Sequence, residues 1–372
     1  MSQQLALLCL SADRAVAEWH VDGHGRASYI PPERRQGFRY WKALECTHSY
    51  NKSFYYAGDS DEKLTWAGYD AQAQTADAQA LLRSHAASPT QDPLLLMLSW
   101  GPPHNPYETA PQRYVDMYDE AQIELRPNVP AEQSSKAKTD LAGYYAHCTA
   151  LDDCLAALCG TLEETGMLED TLLVFFSDHG DMLGSHGMQR KQRPFDEAIR
   201  VPLLLSCPSL LGREGSELAA PMDVGLDMMG TILELCGLPI PAGVQGRSFA
   251  EYVRTRGEAA DPSAGAALLQ CAHPFGEWQR KAGGREYRGL RTLRHTYTRT
   301  LAGPWLLFDN DADPFQLSNL IDEPEQQETV QALDRLLSER LAEVGDDFES
   351  GEALLDRWGY VTDENGTVPY TN

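Results

Sequence analysis

The 372-residue chain lacks a long apolar run, an excess of basic residues and closely paired cysteines. Because a membrane-spanning helix needs about 20 consecutive apolar residues, we expect none here and no membrane partner. Lysine and arginine total 31 against 55 for aspartate and glutamate, a formal charge of −24. That charge argues against nucleic acid as a partner, although it leaves room for a local cationic pocket that binds a small anion.

The eight cysteines lie at positions 9, 46, 148, 154, 159, 207, 236 and 271, without the short paired spacing typical of a zinc site. Several have apolar neighbours, which predicts buried thiols rather than disulfides. The apolar segment near the N-terminus has no basic residue ahead of it. We therefore predict no signal peptide and a cytoplasmic location.

The composition that is present, 42% hydrophobic and 23% charged residues, is typical of a folded globular protein. Apolar periodicity and turn signals predict strands and helices that alternate, which indicates an α/β fold. A segment rich in Gly, Ala, Pro and charge at 256–265 is the best boundary candidate. We predict an α/β core at 1–255 and a C-terminal α+β subdomain at 256–372.

The predicted elements divide between these two regions. Predicted strands of the core are 5–10, 93–99, 172–176 and 201–205, and its predicted helices are 70–87, 141–165 and 223–235. Predicted elements of the subdomain are short strands at 267–271, 287–293, 296–300 and 305–308, then a helix near 325–344. A small antiparallel sheet with one covering helix is expected there.

Polar side chains follow the apolar run at 172–176 without a break. Asp178 and His179 come directly after this predicted strand, and Lys191 follows 12 residues beyond His179. In open α/β sheets, ligands bind at the carboxyl ends of the strands. A carboxylate beside an imidazole suits a divalent cation, and a nearby lysine suits an anion.

These segments resemble the sulfatases of the alkaline-phosphatase-like superfamily. The resemblance rests on SDHGDMLGSHG at 177–187, on Lys191 and on IRVP at 199–202. It also rests on EWH at 18–20 followed by GFRYW at 37–41, and on PHNPY at 103–107. The resemblance implies a mostly parallel central sheet flanked by helices, with a small antiparallel-sheet subdomain at the C-terminal end.

The same resemblance implies roles for individual residues. Asp178 and His179 would hold a divalent metal, calcium by family resemblance, with manganese or magnesium as alternatives. Lys191 and His104 would grip a sulfate ester or donate a proton to it, and His20 would lie near the nucleophile. Glu18 stands where the family carries a lysine, so that contact is expected to be lost or put to another use.

The family's nucleophile is a formylglycine made within Cys/Ser-x-Pro-x-Arg, and no segment of these 372 residues has that pattern. The family's opening strand with its metal carboxylates also has no clear counterpart, so we predict that residues 5–10 fill its place in the sheet. We therefore expect a sulfatase-like hydrolase that lacks the N-terminal motif and is impaired. The alternatives are a non-catalytic binder of sulfated or phosphorylated ligands, and a phosphodiesterase or phosphonate hydrolase. The oligomeric state stays open.

Overall fold

The structure is a computed structural model that describes residues 12–19, 24–90 and 92–364. The predicted strand at 5–10, its expected place in the sheet and the predicted site residue His20 lie outside these ranges. Across the three described ranges, no helix combines the length and the apolar character needed to cross a bilayer. The cysteines within them are all free thiols, as the sequence predicted.

Strands and helices alternate through the first two thirds of the chain. The strands are β1 Ala12–Glu18, β2 Tyr40–Leu44, β3 Phe54–Ala57, β4 Leu64–Thr65, β5 Leu94–Ser99, β6 Leu173–Phe176, β7 Leu203–Ser206, β8 Ala266–Cys271, β9 Tyr287–Thr292, β10 His295–Thr300 and β11 Gly303–Asp309. The α-helices are α1 Asp70–Ala86, α2 Gln112–Val115, α3 Ser134–Glu164, α4 Asp196–Ile199, α5 Pro208–Leu211, α6 Asp227–Leu235, α7 Ala250–Arg254, α8 Gln327–Val344 and α9 Gly351–Trp358.

The larger sheet has the strand order β4-β3-β2-β1-β5. β1 pairs in parallel with β2 and with β5, whereas β2, β3 and β4 pair antiparallel. β6 and β7 form a separate antiparallel ladder in the described residues. The α/β class is confirmed, but strand directions are more mixed than predicted, because short connections between β2, β3 and β4 reverse the chain.

Helices α1 and α3 pack against each other and tie the two ladders together. Gln79 on α1 donates to Thr161 on α3 over 2.8 Å. A buried cluster joins α1, β5, α3 and β6 through Leu82, Leu94, Leu162 and the partly buried Leu173. Since β5 and β6 share this core, the loops that follow them are brought to the same side.

Helix α3 begins at Ser134, earlier than the predicted 141. The first residues of the helix are polar, namely Ser134, Ser135 and Lys136. Because they add nothing to the apolar stripe, the spacing of apolar residues did not predict a helix there. Helix α3 ends at Glu164, one residue before the predicted end at 165.

The C-terminal sheet is antiparallel with the order β11-β10-β9-β8, as the sequence predicted. Helix α8 covers one face of it through a cluster that includes Leu290, Leu307 and Leu337. Arg291 on β9 makes two hydrogen bonds to Asp196, of 2.9 and 3.0 Å. This buried ion pair fixes the sheet to the segment that follows the site loop. The domain boundary itself stays a prediction.

Candidate functional site

His104 lies on the loop that follows β5. Its backbone N–H donates to the Gly101 carbonyl over 3.3 Å, and its ring Nδ1 lies 3.1 Å from the Asn105 carbonyl. The Tyr50 hydroxyl donates to the same Asn105 carbonyl over 3.1 Å. The hydrogen bond from Tyr50 therefore holds the loop in place, and the contact of Nδ1 with the Asn105 carbonyl orients the half-buried His104 ring.

Asp178 and His179 lie on the loop that follows β6. Gly180 anchors this loop, since its N–H donates to the Ala198 carbonyl over 2.9 Å. A Cβ atom at position 180 would lie 2.0 Å from the Glu197 carbonyl oxygen, so only glycine fits there. The two functional side chains differ in environment, because the Asp178 side chain is 83% exposed and that of His179 only 25%.

Lys191 reaches back to His179, with 2.7 Å between its Nζ and the ring Nε2. An ammonium can only donate, so Nε2 must accept and the ring proton must lie on Nδ1. Nδ1 lies 2.8 Å from the Gly180 carbonyl, which is placed to accept that proton. The hydrogen bonds thus place the His179 proton on Nδ1, towards the Gly180 carbonyl, and leave the Nε2 lone pair facing Lys191.

The backbone on both sides of Lys191 is in the left-handed region, with φ of 67° at Arg190 and 73° at Gln192. Such conformations cost free energy for residues with a Cβ and persist only where neighbours enforce them. Arg193 donates to the Lys191 carbonyl over 2.6 Å, and the Tyr287 hydroxyl of β9 donates to the Gln192 carbonyl over 3.3 Å. The C-terminal sheet therefore helps to position the lysine.

His48 completes the arrangement, and sequence reasoning missed it. Its ring stacks on His104 with centroids 4.6 Å apart, and the His104 ring lies 5.9 Å from that of His179. We call the set His48, His104, His179 and Lys191 the basic row. The signal was present, because His48 follows β2 by a few residues, as His104 and His179 follow their own strands.

The pKa values within the basic row respond to burial and to positive charge. The pKa of His48 is lowered to about 4, and burial is the largest cause. Electrostatic interactions with His104, Arg26, Lys191 and Arg190 lower it further. Burial also lowers the pKa of His104, against its hydrogen bond to Asn105 and together with the charge of Lys191. Both rings are thus neutral at pH 7, and the charges of Lys191 and Arg190 act on both of them, which favours an anion there.

A second set of groups lies beneath the His104 loop, and we call Glu18, Cys46 and Asp70 the acidic layer. Burial raises the pKa of the Cys46 thiol to about 12, assisted by its hydrogen bond to Glu18. Asp70 is 2% exposed and its Oδ1 has no hydrogen-bond partner within the described residues. Burial is the main reason that the pKa of Asp70 rises to about 7, and the charge of Glu18 adds to it.

The Glu18 carboxylate lies against the loop that carries His104. A Cβ on Gly101 would lie 3.3 Å from its Oε2 and 2.7 Å from the Tyr50 ring, so Glu18 packs under the loop. Its charge also acts on Cys46, Tyr50 and Asp70. The structure therefore supports the second sequence-based expectation, that this position has been put to another use.

The structure brings His104, His179 and Lys191 together as predicted, with Asp178 beside them but facing solvent. The Asp178 Oδ2 and His179 Nε2 atoms are 3.5 Å apart and could bind one edge of a divalent cation. Calcium takes six to eight oxygen ligands. Among the residues for which coordinates are described, no group of three or more His, Cys, Asp or Glu side chains is placed to hold a metal. Asp178 and His179 therefore fit part of a metal site and not a whole one.

Comparison with known proteins shows the family of the chain. The Sulfatase family model matches residues 12–238, and a second one, N-sulphoglucosamine sulphohydrolase, C-terminal, matches residues 184–343. The chain is 40% identical over 359 residues to an ulvan-active sulfatase of Formosa agariphila, covering 95% of this chain and 68% of the relative. It is 29% identical to an endo-4-O-sulfatase of Bacteroides thetaiotaomicron, covering 90% of this chain and 68% of the relative.

Two solved structures share the fold. One, solved in complex with its substrate D-glucosamine-2-N,6-O-disulfate, superposes with a TM-score of 0.76 at 19% identity, covering 90% of this chain and 80% of its own. The other, a phosphonate monoester hydrolase of Agrobacterium radiobacter, has a TM-score of 0.62 at 22% identity, covering 75% and 62%. With the family matches and the identity to the ulvan-active sulfatase, the chain belongs to the sulfatase family of the alkaline-phosphatase-like superfamily.

Proposed function

We propose that the chain binds sulfate esters of sugars at the basic row and acts in their hydrolysis. The observation that carries the proposal is the convergence of Lys191, His179 and His104 on one half-buried site, where the charges of Lys191 and Arg190 act on His104. The sulfated sugar substrate of the fold neighbour and the names of the sulfatase relatives support the choice of ligand.

Each group has a distinct task in this proposal. Lys191 supplies a positive charge to the sulfate oxygens, where charge is present in the ester and in its transition state. A bound anion raises the tendency of the His104 ring to take up a second proton, and the protonated ring can donate from Nε2 to the leaving oxygen while Nδ1 keeps its contact with the Asn105 carbonyl. His20, if it follows the resemblance, contributes near the nucleophile.

Hydrolysis also needs a nucleophile, and no Cys/Ser-x-Pro-x-Arg segment occurs among the 372 residues. Without one, binding and charge stabilisation leave only a residual rate. We therefore propose that the chain by itself binds sulfate esters well and hydrolyses them poorly. If the rate of hydrolysis is zero, the chain is a non-catalytic protein that binds sulfate esters, which is the alternative stated from the sequence.

The first test measures binding of glucosamine 6-sulfate to the 372-residue chain by titration calorimetry. Lys191→Ala is expected to weaken binding by roughly 10- to 100-fold, because a hydrogen bond to a charged group contributes about 1.5–3 kcal/mol. Lys136→Ala removes an exposed lysine that pairs with Asp140 on helix α3 and is expected to change nothing. Equal affinities of wild type and Lys191→Ala would reject the proposal.

A phosphonate ester is the second candidate ligand, because the fold neighbour from Agrobacterium radiobacter acts on phosphonate monoesters. A phosphonate monoester carries one negative charge, as a sulfate monoester does, so charge alone does not separate them. Parallel calorimetric titrations with the phenyl monoester of methylphosphonate and with phenyl sulfate show which of the two ester classes the chain binds more tightly. Tighter binding of the sulfate ester is the expected result.

We propose further that Asp178 and His179 contribute to a divalent-metal site, with calcium preferred and manganese or magnesium as alternatives. When bound, such an ion would polarise the sulfate oxygens. Because Lys191 occupies the His179 lone pair, an ion there would compete with the ammonium for the same nitrogen. Elemental analysis and calorimetry with CaCl₂ test this, and Asp178→Ala should abolish any uptake. Unchanged uptake in Asp178→Ala would place the ion elsewhere.

A further inference from the structure

Asp181 lies shortly after His179, and the proposed function gives it no task. Its side chain is only 7% exposed. Its Oδ1 accepts hydrogen bonds from the backbone N–H of Leu183 over 3.1 Å and from that of Arg190 over 2.9 Å. The first bond closes a local turn, whereas the second joins Asp181 to a distant part of the same loop. The carboxylate therefore fixes the backbone at the residue immediately before Lys191.

Tyr107 brings the loop that carries His104 into the same contact. The Tyr107 hydroxyl donates to the Asp181 Oδ2 over 2.6 Å, and its own oxygen accepts from the Nη1 of Arg190. The Arg190 Nη1 also lies 3.8 Å from the Asp181 Oδ2, and its guanidinium carbon lies 5.3 Å from the centre of the Tyr107 ring. We call Tyr107, Asp181 and Arg190 the loop clamp. It joins the loop after β5 to the loop after β6.

Helix α3 holds the Tyr107 end of the loop clamp. A Cβ on Gly143 would lie 2.5 Å from the Tyr107 carbonyl oxygen, so the helix approaches the backbone there as only glycine allows. His147 is fully buried on the same helix, and its Nε2 lies 3.3 Å from the Pro106 carbonyl oxygen. The Tyr107 hydroxyl therefore reaches Asp181 from a fixed backbone.

The charges within the loop clamp balance one another. A buried carboxylate near an anion-binding lysine would oppose the ligand unless its charge were offset. Asp181 forms its ion pair with Arg190 and accepts its hydrogen bonds inside the protein. The Lys191 ammonium is left for the ligand, while the left-handed backbone beside it, with φ of 67° at Arg190, is held in place.

We propose that Asp181 is a positioning residue that acts through Tyr107 and Arg190 to set the distance between His104 and Lys191. A sulfate ester must contact both of these groups at once, so their separation determines how tightly it binds. The inference deepens the proposed function and rests on it, because the two groups must bind the ester for their separation to matter.

The first test is Tyr107→Phe, which removes the hydroxyl of the loop clamp and keeps the buried ring. NMR titration with glucosamine 6-sulfate on the 372-residue chain measures affinities into the millimolar range. The variant is expected to bind roughly 3- to 10-fold more weakly than wild type, the ratio that corresponds to the net contribution of one hydrogen bond.

Tyr297→Phe is the matched control. The Tyr297 ring is fully buried, and its hydroxyl donates to the Asp334 carboxylate over 2.7 Å, between β10 and helix α8. The change is the same as in Tyr107→Phe, a hydroxyl lost from a buried tyrosine that faces a carboxylate. It is expected to leave the affinity for glucosamine 6-sulfate within twofold.

A double-mutant cycle with Lys191→Ala separates positioning from a general effect on the fold. If the loop clamp acts by placing Lys191, Tyr107→Phe has nothing left to misplace once the ammonium is removed. In the Lys191→Ala background, Tyr107→Phe is therefore expected to change the affinity by less than about twofold. Tyr297→Phe should stay within twofold in both backgrounds.

Two variants of Asp181 supply a rescue experiment. Asp181→Ala removes every acceptor and leaves Arg190 without its ion pair, so binding is expected to weaken at least about tenfold. Asp181→Asn keeps an Oδ1 that can accept from the Leu183 and Arg190 N–H groups. It is expected to restore the affinity to the level of Tyr107→Phe.

The outcomes separate the two proposals. If wild type binds glucosamine 6-sulfate and both Tyr107→Phe and Asp181→Ala stay within twofold of it, the inference is wrong and the proposed function stands. An equal effect of Tyr107→Phe with and without Lys191 would also reject the inference. If wild type does not bind, both proposals fail. Circular dichroism verifies folding, and Asp181→Asn, expected to lose roughly 3- to 10-fold, decides the matter if Tyr107→Phe does not fold.

Discussion

The basic row and the acidic layer lie on the two sides of the His104 loop, and they handle charge in opposite ways. The basic row is partly exposed, its His48 and His104 rings are neutral at pH 7, and Lys191 supplies its ammonium group. The acidic layer is more deeply buried, and Asp70 holds its proton up to about pH 7. In the basic row Lys191 places an ammonium at the site, whereas in the acidic layer burial keeps Asp70 and Cys46 from ionising and the charge of Glu18 adds to that effect.

This difference shows how an acidic chain can present a cationic site. With a formal charge of −24, the protein repels anions at long range. Burial suppresses ionisation of Asp70 and Cys46, while the Lys191 ammonium lies against His179 in the site. The burial of ionisable groups around the site, rather than the net charge of the chain, therefore determines the charge of the ligand that the site favours.

Among these changes we expect Asp70→Asn, in the acidic layer, to have the largest effect, which is on the pH dependence of the free energy of unfolding. The pKa of Asp70 is about 7 in the fold against 3.8 as its ordinary value, so between these pH values the folded state keeps a proton that the unfolded state loses. Stability from this group is complete below about pH 4 and falls as pH rises to about 7, by at most about 1.4 kcal/mol per unit. Asp70→Asn removes that slope.

Urea unfolding from pH 4 to pH 8 measures the slope in wild type and variant. Asp152→Asn, at an exposed position of helix α3, is the matched control and should keep the wild-type slope. A slope that persists in Asp70→Asn would mean that another group takes up the proton.

A smaller effect is expected from Gly101→Ala, which disturbs the contact between the two layers. The new methyl group would lie 2.7 Å from the Tyr50 ring and 3.3 Å from Glu18, so both must shift. Overpacking of this kind costs about 1–3 kcal/mol. Because Tyr50 holds the Asn105 carbonyl, we also expect weaker binding of glucosamine 6-sulfate.

Gly160→Ala is the matched control for that change, because it lies within helix α3 with no atom near the added methyl group. It should raise stability by up to about 1 kcal/mol through helix propensity. Thermal unfolding measures both variants. Loss of stability in Gly160→Ala, or none in Gly101→Ala, would contradict the packing we describe.

The sequence predicted local features with strong signals. Strand β5 was expected at 93–99 and lies at Leu94–Ser99, and β9 was expected at 287–293 and lies at Tyr287–Thr292. Runs of apolar residues bounded by turn residues suffice for this, since burial of the run sets the element. The strand-end rule and the family motifs together also indicated His104, His179 and Lys191 as neighbours.

Pairing and environment could not be predicted in the same way. Nothing local to β6 shows that it pairs antiparallel with β7, because the ladder depends on where the chain returns after the site loop. His48 was missed because a lone histidine in a loop is common, and only its stack on His104 marks it.

By itself, the sequence determined the α/β class, the order of the elements and three members of the basic row, because these follow from periodicity and from residue type at strand ends. Only the tertiary structure decided that His48 joins them and that Glu18 lies beneath the loop. It also decided that Asp70 is desolvated enough to hold a proton. The physical reason is that burial and long-range contact set pKa values and neighbours, and neither is a property of a short stretch of chain.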